Sequence, residues 1–287
     1  MMQFLCLRST EGWRGRPSLR LFLMAMLLAA LCLGVSAPRA VAQGEPQLIE
    51  RPELSRFFSE VGVTGTFALF DVGAARLTLV GRERAERPYV PASTFKIANS
   101  LIALETGVVK DESEIIPYGG KPQPFKNWER DMSMREAIAM SNVAIYQELA
   151  RRIGLERYHL WLAKLNYGNQ KTGEALERFW LDGPLQISAV EQVRFIAGLA
   201  EQKLSLSAHS QSIVRDILRL ENRDGRVLYG KTGWQFSANP QIGWWVGWVE
   251  RDGKIFTFAL NMDMTSAEDA PKRIAIGKAL LAELGVF

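Results

Sequence analysis

Strand-like patterns stand at both ends of this chain, and helical patterns fill the space between them. Residues 65–70 and 76–80 read as two strands joined across Asp71-Val72-Gly73. Towards the other end, Asp224-Gly225 and Asp252-Gly253 are hairpin-turn signals beside apolar runs at residues 226–233, 242–249 and 254–262. In between, Ser133-Met134-Arg135-Glu136 and Ser188-Ala189-Val190-Glu191 have the spacing of capping boxes, and each opens a helical repeat of apolar residues. Gly107 and Gly154 stand where helix C-caps are expected, and Pro271 fits the first turn of a last helix that ends at Gly285. A chain that leaves a sheet and returns to it predicts an antiparallel sheet flanked by helices, with a helical subdomain. That is an α/β fold of the α+β type, without the βαβ alternation of a parallel sheet.

The first 42 residues read differently. Arg14, Arg16 and Arg20 precede an apolar run over residues 21–35, followed by Ala40-Val41-Ala42, a small-x-small cleavage site. This predicts a secretory signal peptide at 1–42, with residues 43–287 as one catalytic domain and no membrane anchor after cleavage. Met24 is an alternative start. Both cysteines, Cys6 and Cys32, fall in the leader, so an exported mature chain must hold itself together without disulfides. The leader also explains the charge. The whole chain has 35 basic and 31 acidic residues, but residues 1–42 carry five arginines against one glutamate, leaving 30 of each. A nucleic-acid partner, which a basic chain would otherwise suggest, is not expected.

The sequence has no G-x-S-x-G, Walker A, H-E-x-x-H or cysteine-cluster pattern. His159 lies in a helical stretch and His209 in a polar one, so a histidine base or a zinc site is not supported. Ser93 and Lys96, by contrast, share one face at the start of a helical pattern, where backbone N–H groups and the helix dipole favour acyl transfer. The lysine can act as a base only if burial or a neighbouring cation keeps it neutral. Ser141 follows in the helical middle, and Lys231-Thr232-Gly233 ends a predicted strand; Lys171-Thr172-Gly173 spells the same tripeptide with no strand beneath it. Trp244, Trp245 and Trp248 read as strand packing, and Tyr167-Gly168-Asn169 as a turn. Lys272 and Arg273 compete as a cation in the first turn of the last helix.

The run from Pro91 to Lys96, Ser141-x-Val143, Tyr167-Gly168-Asn169, Trp180-Leu181-Asp182-Gly183, Lys231-Thr232-Gly233 and the run from Ile242 to Trp248 resemble the class D, oxacillinase-type serine β-lactamases. These belong to the penicillin-binding and transpeptidase-like superfamily, and the likeness spans nearly the whole of residues 43–287. It implies hydrolysis of penicillin-type β-lactams, and antibiotic resistance, in the bacterial periplasm. Ser93 would be the acylated nucleophile, and Lys96, N-carboxylated by CO2 or bicarbonate, the general base; no other cofactor and no metal is implied. Ser141 would pass a proton to the leaving nitrogen. Trp180 would hydrogen-bond the carbamate, walled by Val143, Phe95 and Leu181. Lys231, Thr232 and Arg273 would bind the substrate carboxylate, Ser93 and Trp234 would supply oxyanion N–H groups beside Gly233, and Trp128 would stand near the entrance. The segment 235–241 should border the site. A β-lactam sensor that acylates and stops, a cell-wall transpeptidase and a non-catalytic exported domain are the competing readings, and the lifetime of a penicillin adduct separates them.

Overall fold

A computed structural model describes residues 46–287; the predicted leader and its cleavage site lie outside the described residues. The described chain begins with β1 (Gln47–Glu50), a 3-10 turn at Pro52–Ser55 and the single turn α1 (Arg56–Ser59). The hairpin β2 (Gly65–Asp71) and β3 (Arg76–Val80) follows, then α2 (Arg82–Glu86). A 3-10 turn at Ala92–Phe95 runs into α3 (Lys96–Glu105). The short strands β4 (Ile115–Ile116) and β5 (Met132–Ser133) flank a 3-10 turn at Lys126–Trp128. The helical middle is α4 (Met134–Met140), α5 (Val143–Ile153), α6 (Leu155–Lys164), α7 (Ala189–Ala200) and α8 (Ala208–Ile217). The chain returns through β6 (Arg219–Arg223), β7 (Arg226–Gln235), β8 (Gln241–Arg251) and β9 (Lys254–Met264) to α9 (Lys272–Glu283).

Seven strands form one sheet in the order β1-β3-β2-β9-β8-β7-β6. All neighbours are antiparallel except β1, which the sequence did not predict and which lies parallel to β3 at one edge. The two halves of the chain meet in the β2–β9 ladder, where Gly65 faces Met262 and Asp71 faces Phe256. Both capping boxes form: the Ser133 and Ser188 hydroxyls accept from Glu136 N and Glu191 N, and the glutamates accept in return from the two serine N–H groups.

Both sheet faces are covered. On one, Trp245, Phe258, Leu260, Ile276 and Leu280 pack between the sheet and the pair α1 and α9. On the other, Trp244, Val246, Trp248 and Ala259 join the larger core beneath the helical middle. Successive side chains of β8 therefore alternate between two dry layers, which is why its sequence is apolar without interruption. The tryptophans are packing residues, with the Trp244 indole donating to Val90 O (2.9 Å) and that of Trp248 to Glu250 Oε1 (3.0 Å).

Candidate active site

Ser93 sits on the 3-10 turn rather than on the first turn of an α-helix. Ala92, just before it, takes a left-handed φ of 49°, and the Thr94 hydroxyl donates to Pro91 O (2.8 Å) while accepting from Gln192 on α7 (2.9 Å). Residues three apart eclipse each other in a 3-10 turn, so Ser93 and Lys96 stack more closely than an α-helix would bring them. The Lys96 amine donates to Ser93 Oγ at 2.7 Å. Lys96 is wholly buried, and Phe95 beside it packs against Tyr158, Tyr167, Phe179 and Trp180 with ring centroids 5.2–6.0 Å away.

Ser141 lies at the junction of α4 and α5. Its N–H donates to Ile138 O (3.2 Å) and that of Asn142 to Ala137 O (2.9 Å), a Schellman closure with Ser141 at the left-handed position, φ 57°. Glycine is usual there; a serine is strained but presents a hydroxyl. Lys231 on β7 donates to that hydroxyl at 2.9 Å and to Thr232 O at 3.0 Å. Among the described residues no strand pairs with the outer edge of β7 past Tyr229, and Thr232, Gly233 and Trp234 of that stretch line the cleft. Gly233 presses that edge against the Ser93 turn: a Cβ there would stand 2.9 Å from Pro91 O. The strand itself runs on to Gln235 instead of stopping at Gly233 as the sequence suggested.

Three basic side chains converge here, and none of the groups that perturb them among the described residues is a carboxylate. Burial, and then the charge of Lys231, push the Lys96 amine well below the ordinary lysine range. Burial, and then Arg273, bring Lys231 down to about 7. Burial alone lowers Arg273 to about 10. Between Lys272 and Arg273 the structure makes the choice: Lys272 turns outward to Asp269 (2.8 Å), while Arg273 is buried and donates to Ala270 O (2.8 Å) and Gly233 O (2.5 Å). Gly243 makes room for it, since a Cβ there would lie 2.8 Å from Arg273 Cδ. Buried, uncompensated positive charge is a binding site for an anion.

A cavity of about 820 Å³ opens above these groups, lined by Ser93, Ser141, Val143, Leu181, Thr232, Gly233, Trp234 and Arg273. Trp128 is in its wall, its indole donating to Met140 O (3.2 Å). The exposed rings of Phe125 and Phe236, which the sequence did not single out, stand at the rim; they pack on Trp128 and Trp234 with centroids 4.8 and 4.4 Å apart. Phe236 and Ser237 place part of the segment 235–241 at the border of the site. Trp180 does not line the cavity; it is buried and stacked on Phe95, and its Nε1 has no hydrogen-bond partner among the described residues. Trp180 and Leu181 ride on a loop closed at its neck, where Asn169 N donates to Gln186 O (2.9 Å). Residues 71–282 match the family described as Transpeptidase, the penicillin binding protein transpeptidase domain. Beta-lactamase OXA-10 of Pseudomonas aeruginosa is 38% identical over 243 residues, covering 84% of this chain and 91% of its own. The chain belongs to the class D β-lactamases.

Beta-lactamase OXA-48 of Klebsiella pneumoniae is 37% identical over 263 residues, 92% of this chain and 97% of its own. The crystal structure of the class D β-lactamase YbXI from Nostoc superposes with a TM-score of 0.80 at 38% identity, over 83% of this chain and 100% of that one. As a class D β-lactamase the protein is a serine β-lactam hydrolase. Neither the second Lys-Thr-Gly nor either histidine takes part in the cleft: Thr172 is buried against His159 Nε2 (2.6 Å), and His209 is exposed on α8. Asn142, between Ser141 and Val143, caps α5, and the sequence signal for it is an asparagine directly before a helical pattern.

Proposed function

We propose that the protein opens the β-lactam amide through an acyl-enzyme on Ser93, with N-carboxylated Lys96 as general base in both steps. The observation that carries this is the Lys96 amine, wholly buried, pushed towards its neutral form and 2.7 Å from Ser93 Oγ. A neutral amine is the form that adds CO2, losing a proton to become a carbamate anion, and such a group supplies a carboxylate-like base. The chain offers what that anion needs: a buried Trp180 Nε1–H without a partner, in a dry pocket.

In this reading the substrate carboxylate lies on Lys231, Thr232 and Arg273, and the lactam oxygen faces the N–H groups of Ser93 and Trp234. Ser93 Oγ bonds to the carbonyl carbon and its proton leaves towards Lys96. The C–N bond breaks, and the nitrogen takes the Ser141 hydroxyl proton, which Lys231 restores across 2.9 Å; the proton that Lys96 took from Ser93 then passes to Lys231, so that both groups return to their starting forms before water enters. Water then gives a proton at Lys96 and attacks the ester, and Ser93 leaves with its hydroxyl restored. A cell exporting the protein to its periplasm would gain resistance to penicillins.

Intact mass spectrometry during exposure to a penicillin tests this. A transient adduct with accumulating product is expected on a mature chain starting at Gln43. Ser93→Ala should show no adduct, Lys96→Ala should block both steps, and added bicarbonate should raise turnover of the wild type. An adduct that lasts for hours would convert the enzyme reading into a sensor, and no adduct at all would end both.

A further inference from the structure

Asn142 is buried inside the wall of the cleft, and every polar atom of its side chain is engaged. Its Oδ1 accepts from Ala144 N (2.9 Å) and Ile145 N (3.5 Å), capping α5. Its Nδ2 donates the other way, to Trp128 O (3.1 Å) and towards Met132 Sδ (3.5 Å). Trp128 in turn donates its indole N–H to Met140 O (3.2 Å), the carbonyl next to Ser141. The loop and the α4–α5 junction thus hold each other through two bonds that straddle Ser141.

We infer that Asn142 is a positioning residue for Ser141, acting through the bond from its amide to Trp128 O. This rests on the proposed role of Ser141 as proton donor to the leaving nitrogen. The Schellman closure and the cap fix Ser141 relative to its own helices only. Lys231 reaches its hydroxyl from the sheet but ends on a flexible stem. The amide ties the junction to the cavity wall, and an error of about 1 Å in a reacting group can cost on the order of 100-fold in rate. In the proposed mechanism Ser141 serves acylation and Lys96 serves both steps, so loss of the tie should slow only the first.

Asn142→Ser is the decisive variant, because a serine hydroxyl keeps the cap while the donor to Trp128 O is lost. Pre-steady-state kinetics with a penicillin should show acylation slowed about tenfold or more, deacylation unchanged, and a melting temperature close to wild type. Should serine prove too small for the fold, Asn142→Thr also retains a capping hydroxyl without the amide donor to Trp128 O, and is expected to show the same split. Unaltered acylation, or a parallel fall of both steps, would overturn the assignment. Wild-type protein measured alongside separates the two claims: without a Ser93 adduct there, the proposed function fails first.

Discussion

Of the two hydroxyls proposed for the chemistry, one follows and the other occupies a backbone position that its residue type does not favour. Ala92 at φ 49° turns the chain into Ser93, and Ser141 itself stands at φ 57°, each at a cost of about 1–2 kcal/mol. Around them the deciding residues are the ones that leave space. Gly243 leaves room for Arg273, and the atoms a methyl group would meet there are side-chain atoms of Met264 and Arg273, which can move. Gly243→Ala is therefore expected to fold with a modest loss of melting temperature while displacing the guanidinium. KM for a carboxylate-bearing penicillin should rise about tenfold, matching the loss of one charge-assisted hydrogen bond, with kcat less affected; an unchanged KM would remove Arg273 from substrate binding. Residue identities of this kind were legible in the motifs. The backbone angles were not, because they depend on what the rest of the fold places against them; Arg273 over Lys272 was legible only through the resemblance to the family.

Among the elements, the loop between α6 and α7 packs Phe179 and Trp180 against Phe95, next to Lys96, and its neck is tight. Gly168 has φ 50°, and a Cβ there would stand 2.0 Å from Gln186 O, a backbone atom that cannot step aside. Gly168→Ala should destabilise the protein by roughly 1–3 kcal/mol from overpacking alone and loosen the seat of Trp180 and Leu181. Activity should then depend more steeply on bicarbonate than in the wild type; a variant with normal melting and normal bicarbonate response would show that the neck is not what holds the pocket. The sequence revealed the elements whose burial is apolar: the core strands, the two boxed helices and α9. It hid β6, an edge strand of mostly exposed, largely charged residues. It hid α8 as well, whose buried face includes Ser210 and Gln211, held by bonds to Glu105 (2.8 Å) and Leu206 O (3.0 Å) rather than by apolar contact. The 3-10 turn under Ser93 is indistinguishable from an α-helix in the sequence, since side-chain spacing alone does not separate the two windings over so short a stretch.

For the molecule as a whole, burying two lysines ties stability to pH. Both are held below the ordinary lysine value of about 10.4 that the unfolded chain keeps. Between about pH 7 and 10 the unfolded chain therefore binds more protons than the folded one, and stability rises with pH across that window. Above it Tyr146, Tyr158 and Tyr167, raised by burial, reverse the sign, because the unfolded chain loses their protons first. Urea unfolding in CO2-free buffer should give a gain from pH 7 to 9 of which about 2 kcal/mol comes through Lys231, so the rise should be smaller by about that amount in Lys231→Met. Equal slopes in the two proteins would mean that Lys231 is not titrating as its burial requires. The β2–β9 ladder has a different consequence, for the moment of birth. It joins Gly65 to Met262, and the anion pocket is completed only by Arg273. A nascent chain that has not yet reached its last helix holds an unfinished sheet with an open edge, the long-range kind of contact that forms slowly. Synthesis can therefore run almost to the end of the chain before the sheet closes, and the cleft appears only when the final strand and helix arrive.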